Sequence, residues 1–459
     1  MRRPRALLFV QLSVLALIAV YFLHFRFDTL GSVRSDAPGS LALTPNGTVC
    51  SRVSHAPSTA YPTTVDLTAG LLATLPLQNL TAYTRAILDP SDASLPKVEC
   101  PRPDLSRYAH LRAKSHAGPS SLRYFFALNL RNCLPLLPQL LGSILEVIRF
   151  LGPEHCALSI VEGNSPDGTA EVLAALEPEL IRLGIRTYFT LNNQIDPLAE
   201  GSDRFSSLAT LRNLAVAPLL AAFSNPPTIT TTAAANASVL FINDVAICAD
   251  DLLELAHQRA RQGADMACAM DWTGATDDDD DDDDAQPGPA FYDVYIARAI
   301  NGDLFFDVPP ATVSWDRAAD LFWNEPIARA RLERHAPFQV FACWNGAVAF
   351  TARPLVEGKV AFRGARADKG ECWQGEPQAF CKDLWLNGYG KIMVVPQVNL
   401  AYSIEEGRTI KKLKGFASRW AAEEDEAEPR IEWLPPPDQV KCMPTFQDQT
   451  WRPWNETFG

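Results

Sequence analysis

Histidine is scarce in this sequence: 7 among 459 residues, none set beside another at metal-ligand spacing. Cys-x-x-Cys does not occur. A zinc site is therefore a poor expectation. Basic residues are outnumbered, 41 Lys and Arg against 54 Asp and Glu, and they form no stripe. Such a balance argues against nucleic-acid binding. The chain also lacks an internal repeat, a Gly-x-Gly-x-x-Gly, a P-loop and a recognisable Ser/His/Asp or Cys/His set. Those absences remove the familiar phosphate loops and triad hydrolysis. The net charge of −13 is concentrated, because eight of the acids form the run Asp277–Asp284. Residues 277–289 read as a solvated, disordered insertion. Consecutive aspartates lack the spacing of a calcium cage.

What is present begins at the N-terminus. Arg2, Arg3 and Arg5 precede the apolar segment Ala6–Phe25, interrupted only by Gln11, Ser13 and His24. About 20 helical residues span roughly 30 Å, the thickness of a bilayer core. The bulky stretch Tyr21–Arg26 offers no signal-peptidase site. The upstream arginines put the N-terminus in the cytoplasm. Residues 1–27 thus read as tail and signal anchor of a type II membrane protein, with the rest in the lumen. Sequons at Asn46, Asn79, Asn236 and Asn455, and ten cysteines from Cys50 onward, fit an oxidising lumen. Which cysteines pair is not readable from sequence. Residues 28–120, rich in Pro, Ser, Thr and Ala, read as a stem with a short helix within Leu71–Leu88.

From residue 121 to about 405 the pattern is that of a folded domain. The chain is long enough for a large core, and its 47% hydrophobic fraction is ordinary. A strand at Leu122–Leu128 leads through a loop to a helix, Leu134–Phe150, stopped by Gly152-Pro153. A strand at Ala157–Val161, a helix at Ala170–Leu183 and a strand at Ile185–Leu191 complete a β-α-β-α-β series. That series predicts an α/β fold with a mixed, mainly parallel sheet under helices. A helix from Ser206, a strand at Val239–Ile242, a helix at Leu252–Gln262 and strands at Ala264–Met270 and Ile392–Val395 extend it. Tyr292–Ala299 and Phe338–Phe350 add further segments. Residues 406–459 read as a tail packed on the domain, ending in Trp451-Arg452-Pro453-Trp454.

The strand Val239–Ile242 stops abruptly at Asn243-Asp244. Asp250 and Asp251 follow, with Glu254 placed as in a capping box. Asp244 is therefore expected at the carboxyl end of a buried strand, where ligands collect in open α/β sheets. A carboxylate there either holds Mg²⁺ or Mn²⁺ against a phosphate or merely starts a turn. Glu162 and Asp167 lie in the turn Glu162–Thr169. They either meet a ribose or base, or shape the turn and cap the next helix. Arg204 and Arg212 suit phosphate through bidentate, charge-assisted bonds, or pair with acids on a helix face. Trp344-Asn345-Gly346 suits a sugar's apolar face and hydroxyls, or is a core tryptophan beside a turn. Glu371, Glu376 and Asp383 offer paired carboxylates for glycosyl chemistry, although Asp383 equally fits a helix face.

Nine stretches, in order, carry a resemblance. They are FFALNLRN (Phe125–Asn132), LGPEHCALSIVEGNSPDGT (Leu151–Thr169), RFSSLATLRNLAVAPL (Arg204–Leu219) and VLFINDVAICADDLLEL (Val239–Leu255). ACAMDW (Ala267–Trp272), FYDVYIARAINGDLF (Phe291–Phe305), CWNGAVAF (Cys343–Phe350), ECWQGEPQAFCKDLW (Glu371–Trp385) and GYGKIMVVPQVNLAYS (Gly388–Ser403) follow. Together they resemble the fungal capsular α-1,3-mannosyltransferase family, glycosyltransferase family 69, which includes the capsule-associated proteins. The resemblance implies a GT-A-like, Rossmann-like nucleotide-sugar transferase domain at the Golgi membrane. It implies transfer of mannose from GDP-mannose to a mannose-containing oligosaccharide or polysaccharide. Asn243-Asp244-Val245 then stands where the Asp-x-Asp signature would, with Asp244 as ligand to Mn²⁺ or Mg²⁺. Glu162, Asp167, Arg204, Arg212 and Asn243 would line the donor side, and Trp344, Asn345 and Gly346 the acceptor side. Glu376 and Asp383 join Asp244 as catalytic candidates, although Gly375 and Pro377 replace the neighbours in the family's Ser-Glu-Cys triplet. An α-linked donor and product mean retention, by a carboxylate nucleophile or by front-face attack. The alternatives are another nucleotide sugar, or a non-catalytic scaffold or binding role in polysaccharide assembly or export.

Overall fold

Short apolar runs rich in β-formers, each cut off by a polar stop, become the strands of one central sheet. The computed structural model describes residues 77–112, 122–223, 237–274, 288–424 and 428–456. The expected signal anchor, the first part of the expected stem and the Asp277–Asp284 run lie outside the described residues. After α1 (Leu77–Leu88) come β1 (Tyr124–Leu130), α2 (Leu137–Leu151), β2 (Cys156–Glu162), α3 (Thr169–Arg182) and β3 (Arg186–Thr190). Then follow α4 (Arg204–Phe223), β4 (Ser238–Ile242), α5 (Ala249–Gln262) and β5 (Met266–Thr273). Two short strands, β6 (Ala290–Phe291) and β7 (Arg298–Ala299), precede α6 (Pro326–Glu333), β8 (Phe338–Ala342), β9 (Ala347–Thr351) and α7 (Arg353–Val356). The chain ends with α8 (Glu376–Leu386), β10 (Ile392–Leu400), α9 (Ile404–Lys414), α10 (Ala417–Glu423) and the hairpin β11 (Gln439–Cys442) and β12 (Thr450–Pro453).

The sheet order is β3-β2-β1-β4-β9-β5-β10-β8-β7, with β6 beside β5. β3, β2, β1 and β4 are mutually parallel, β5 and β10 pair in parallel, and β9 and β8 run antiparallel to their neighbours. The fold is thus α/β with a mixed, mainly parallel sheet, as the β-α-β series predicts. Alternate residues face two cores. Phe125, Val239, Phe241 and Met270 join the side covered by α4, and Phe126, Leu240 and Ile242 join the side covered by α2, α3 and α5. Burial on both faces explains why the strands read as continuous apolar runs. Each such side chain contributes about 1.5–3 kcal/mol.

Several details differ from expectation. Phe338–Phe350 is two strands, because Asn345 and Gly346 turn the chain in the left-handed region. The capping box at α5 is closed by Asp251, whose Oδ2 accepts from Cys248 N at 2.9 Å. Glu254 is instead held by Arg107 and by the Tyr108 hydroxyl, because it faces the 77–112 segment. That segment, expected within a stem, is fastened to the domain by this ion pair and by the disulfide Cys100–Cys248. The C-terminal residues are also tied in. Lys411 pairs with buried Asp251 at 2.6 Å, and Cys372 joins Cys442.

Chain order reverses between β1 and β4. From β1 the chain steps outward to β2 and β3, then returns through α4 to β4 on the other side of β1. The carboxyl ends of β1 and β4 therefore flank the switch point of the sheet, the standard place for a ligand crevice in such folds.

Candidate functional site

Asp244 stands just past the end of β4 on a stretch pinned from both sides. Asn243 N donates to Gly346 O at 2.8 Å, and Ala246 N donates to Ala401 O at 2.8 Å. The Trp344 indole donates to Asn243 Oδ1 at 3.1 Å. The turn that brings Trp344 here needs glycine at position 346, where φ is 81° and a Cβ would sit 3.2 Å from Val245. The disulfide Cys268–Cys343 fixes the other end of that turn to β5.

Two depressions meet at Asp244 and share Asn129 and Leu208 with it. The first, about 900 Å³, opens at the ends of β1 and β2, with Val161, Ile195, Pro197 and Leu198 as apolar wall and Arg131 and Arg204 as cations. Its apolar wall with few charges suits a base or ribose with phosphate. The second, about 650 Å³, is lined by Arg212, Tyr292, Asp293, Trp344, Glu376 and Tyr402.

Arg212 lies on α4 and is almost fully buried. Its Nε donates to Glu376 Oε1 at 2.8 Å, and its guanidinium lies 4.3 Å from the Trp344 ring centre. Its two terminal nitrogens have no acceptor among the described residues, and the side chain lines the cleft. It is thus a positioned cation with donors to spare. Glu376 opens α8, where Gly375 permits the close approach of Ile296; a Cβ would lie 2.3 Å from Ile296 Cδ1.

The Asp244 carboxyl is half-buried, and desolvation pushes it up to about 7 while Arg212 pulls it down. Among the described residues no side chain hydrogen-bonds to it. An all-oxygen donor with that placement fits a hard divalent cation, which would favour the ionised form. Two other groups of metal-capable residues are committed elsewhere. Cys248, beside Asp250 and Asp251, is in a disulfide, and Glu254, beside His257 and Glu424, binds Arg107.

The remaining expected residues fall into two sets. Trp344, Asn243 and Arg204 reach the depressions, while Asn345 and Gly346 form the buried turn beneath. Glu162, Asp167 and Asp383 line neither depression. Glu162 accepts from Ser165 N at 2.7 Å and Asn192 N at 2.9 Å, so it builds the loops beside the first depression. Asp167 accepts from Thr169 N at 3.0 Å and Leu134 N at 3.0 Å, starting α3. Asp383 is gripped by Arg363 through bonds of 2.7 and 2.8 Å, and Glu371 shares the same arginine.

Sequence reasoning passed over Asp271, Asp293, Tyr292, Tyr402 and Arg131. Asp271 Oδ2 accepts from the Tyr402 hydroxyl at 2.5 Å, and Asp293 Oδ2 accepts from Asn345 N at 2.9 Å. The other carboxyl oxygen of each is buried without a partner. Desolvation pushes Asp271 up to about 7. It raises Asp293 well above the carboxylate range, with the nearby Asp271 charge adding to the rise. Asp271 had a readable signal: like Asp244, it is an acid near the carboxyl end of an apolar strand. Asp293 follows the acidic insertion and had none.

The sequence profile of a family described as cryptococcal mannosyltransferase 1 matches residues 123–383. An α-1,3-mannosyltransferase of Cryptococcus neoformans var. neoformans serotype D is 33% identical over 356 residues, 73% of each chain. Solved structures overlap the chain only loosely. A mannosyltransferase from Pyrobaculum calidifontis, solved with GDP-Man and Mn²⁺, is 13% identical over 77% of this chain and 76% of that one, at a TM-score of 0.33. TarS residues 1–349 from S. aureus are 13% identical over 64% of each chain, at 0.31. The family match takes in the switch-point cleft apart from Tyr402, and this chain belongs to the cryptococcal mannosyltransferase family.

Proposed function

We propose that this chain transfers mannose from GDP-mannose to a hydroxyl of a mannose-containing glycan, with retention and with Mn²⁺ or Mg²⁺ held at Asp244. The observation that carries the reading is the position of Asp244, at the switch point where two depressions meet beside Arg212. The curated relative supports mannose as the transferred sugar, and the first depression suits a nucleoside. A cation bound at Asp244 supplies neutralising charge for the departing diphosphate. Arg212, oriented by Glu376 and Trp344, adds donors for the same phosphate oxygens. Glu376 thereby serves as a positioning residue. Burial and the nearby Asp271 favour the protonated form of Asp293, which lines the second depression.

The lumenal Golgi assignment belongs to the same proposal. Three disulfides and an exposed Asn79 sequon support it. The test of the site is calorimetric titration of Mn²⁺ into the GDP-bound full-length chain. Asp244→Asn should weaken binding at least about tenfold, roughly 1.4 kcal/mol. Equal affinity would remove the metal from Asp244.

A further inference from the structure

The chain from Cys372 to Glu376 forms a ridge between the cleft and a separate depression. On one side Glu376 and Ile296 line the cleft, and a Cβ at Gly375 would lie 2.3 Å from Ile296 Cδ1, so the ridge is seated against the cleft wall. On the other side Cys372, Gln374 and Gln378 line a depression closed by Trp454 and the β11–β12 hairpin. The ridge is fixed in place. The disulfide Cys372–Cys442 ties it to β11, and Cys372 N donates to Glu456 Oε1 at 3.0 Å.

Trp373 stands on this ridge. It is 45% exposed, while its neighbours Cys372 and Gln374 are 9% and 6% exposed. Among the described residues, the only aromatic ring packed on it is that of Phe205, with centres 4.6 Å apart. Phe205 lies in the first turn of α4, between Arg204 and Leu208, which both line the cleft. A rigidly mounted indole thus presents open surface at the rim of the cleft.

Behind the ridge, Gln374 Nε2 and Gln378 Oε1 are buried without a hydrogen-bond partner. One is an orphan donor and the other an orphan acceptor. A hydroxyl, which donates and accepts at once, satisfies both. The charges of the wall are already committed. Lys382 is held by Glu371 at 2.9 Å and by Glu456 at 3.2 Å, and Arg452 donates to Gly370 O at 3.0 Å. Such a wall favours a neutral ligand rich in hydroxyls.

We infer that this ridge is a second subsite for the acceptor glycan. Trp373 carries the apolar face of a sugar next to the one in the cleft, and Gln374 and Gln378 bind hydroxyls of a neutral glycan that continues behind it. Indole faces cover the apolar side of a pyranose. A platform fixed before binding loses little conformational entropy on binding. The inference rests on the glycan acceptor of the proposed function, but it concerns binding and is read without turnover.

The experiment titrates α-mannobiose and a linear α-mannopentaose into the purified full-length chain with GDP present, by calorimetry. The pentaose should bind about tenfold more tightly. Trp373→Ala should abolish that advantage, and Trp373→Phe should keep it. Gln378→Met should weaken pentaose binding about threefold and raise the melting temperature, because an apolar side chain of like size replaces an unsatisfied buried amide. Equal binding of the two glycans, or an advantage that survives Trp373→Ala, overturns the inference. A Gln378→Met protein that melts lower and binds the pentaose as before marks a structural water at the amides and overturns their part in it. Failure of the mannosyl-transfer reading is read separately, from Mn²⁺ affinity and donor turnover.

Discussion

The Arg212–Glu376 pair separates a structural role from a chemical one. Their side chains are 10% and 3% exposed, so the pair is a buried ion pair. Arg212→Met strands the Glu376 charge, at a cost of about 3–5 kcal/mol. Losing the guanidinium from the Trp344 face adds about 1–2 kcal/mol. Glu376→Met strands the cation instead and should cost a similar amount. The double variant removes both charges at once and should lie within about 2 kcal/mol of the parent, the lost contact with the Trp344 face being the remaining cost, since apolar replacement of a buried pair is often near neutral. Activity should not follow stability. Loss of a positioned phosphate donor lowers kcat about 10²–10³-fold, and the double variant restores nothing there. Urea denaturation and nucleotide release on the same four proteins complete the cycle. If the double variant regains both stability and turnover, Arg212 is only a brace. If neither single variant loses stability, the burial reasoning fails.

Asp293 and His257 give two further tests. If Asp293 acts as a protonated donor, Asp293→Asn should keep turnover within about tenfold while Asp293→Ala loses about 10²-fold or more; a collapse with Asn would make it a base or nucleophile. His257 is buried with both ring nitrogens unpartnered, and desolvation depresses its pKa to about 4, against the pull of Glu254. A depressed histidine leaves stability intact above the unfolded value near 6.5 and removes it as pH falls toward 4, by about 3 kcal/mol at most. His257→Phe should flatten that limb of urea midpoint against pH, and parallel curves would refute the assignment.

Legibility in the sequence followed the range of the interaction. The strand ending at Asp244 was readable because an apolar run and a polar stop are local signals. So was the β-α-β-α-β series, whose boundaries moved by only a few residues, as with β3 starting at Arg186 rather than Ile185. The insertion of β9 between β4 and β5 was not readable, because nothing in Phe338–Phe350 names its partners. Side-chain commitments were equally hidden. Glu162 reads as a ligand until Ser165 N and Asn192 N are seen to occupy it. Glu376 reads as one of a set of carboxylates for glycosyl chemistry until Arg212, 164 residues away in sequence, arrives beside it. Asp293 acquires its character from Asn345 and Asp271, both distant in the chain.

The most direct measurement follows nucleotide release by the purified full-length chain with GDP-mannose, UDP-glucose and UDP-galactose. Each is run with α-mannobiose and Mn²⁺, with and without chelator, beside Asp244→Asn. The account predicts turnover of GDP-mannose alone, lost on chelation and in the variant. Turnover of a UDP-sugar contradicts the donor. Turnover of GDP-mannose that ignores both chelator and variant contradicts the site. Silence with every donor from folded protein contradicts the transferase reading and favours a scaffold.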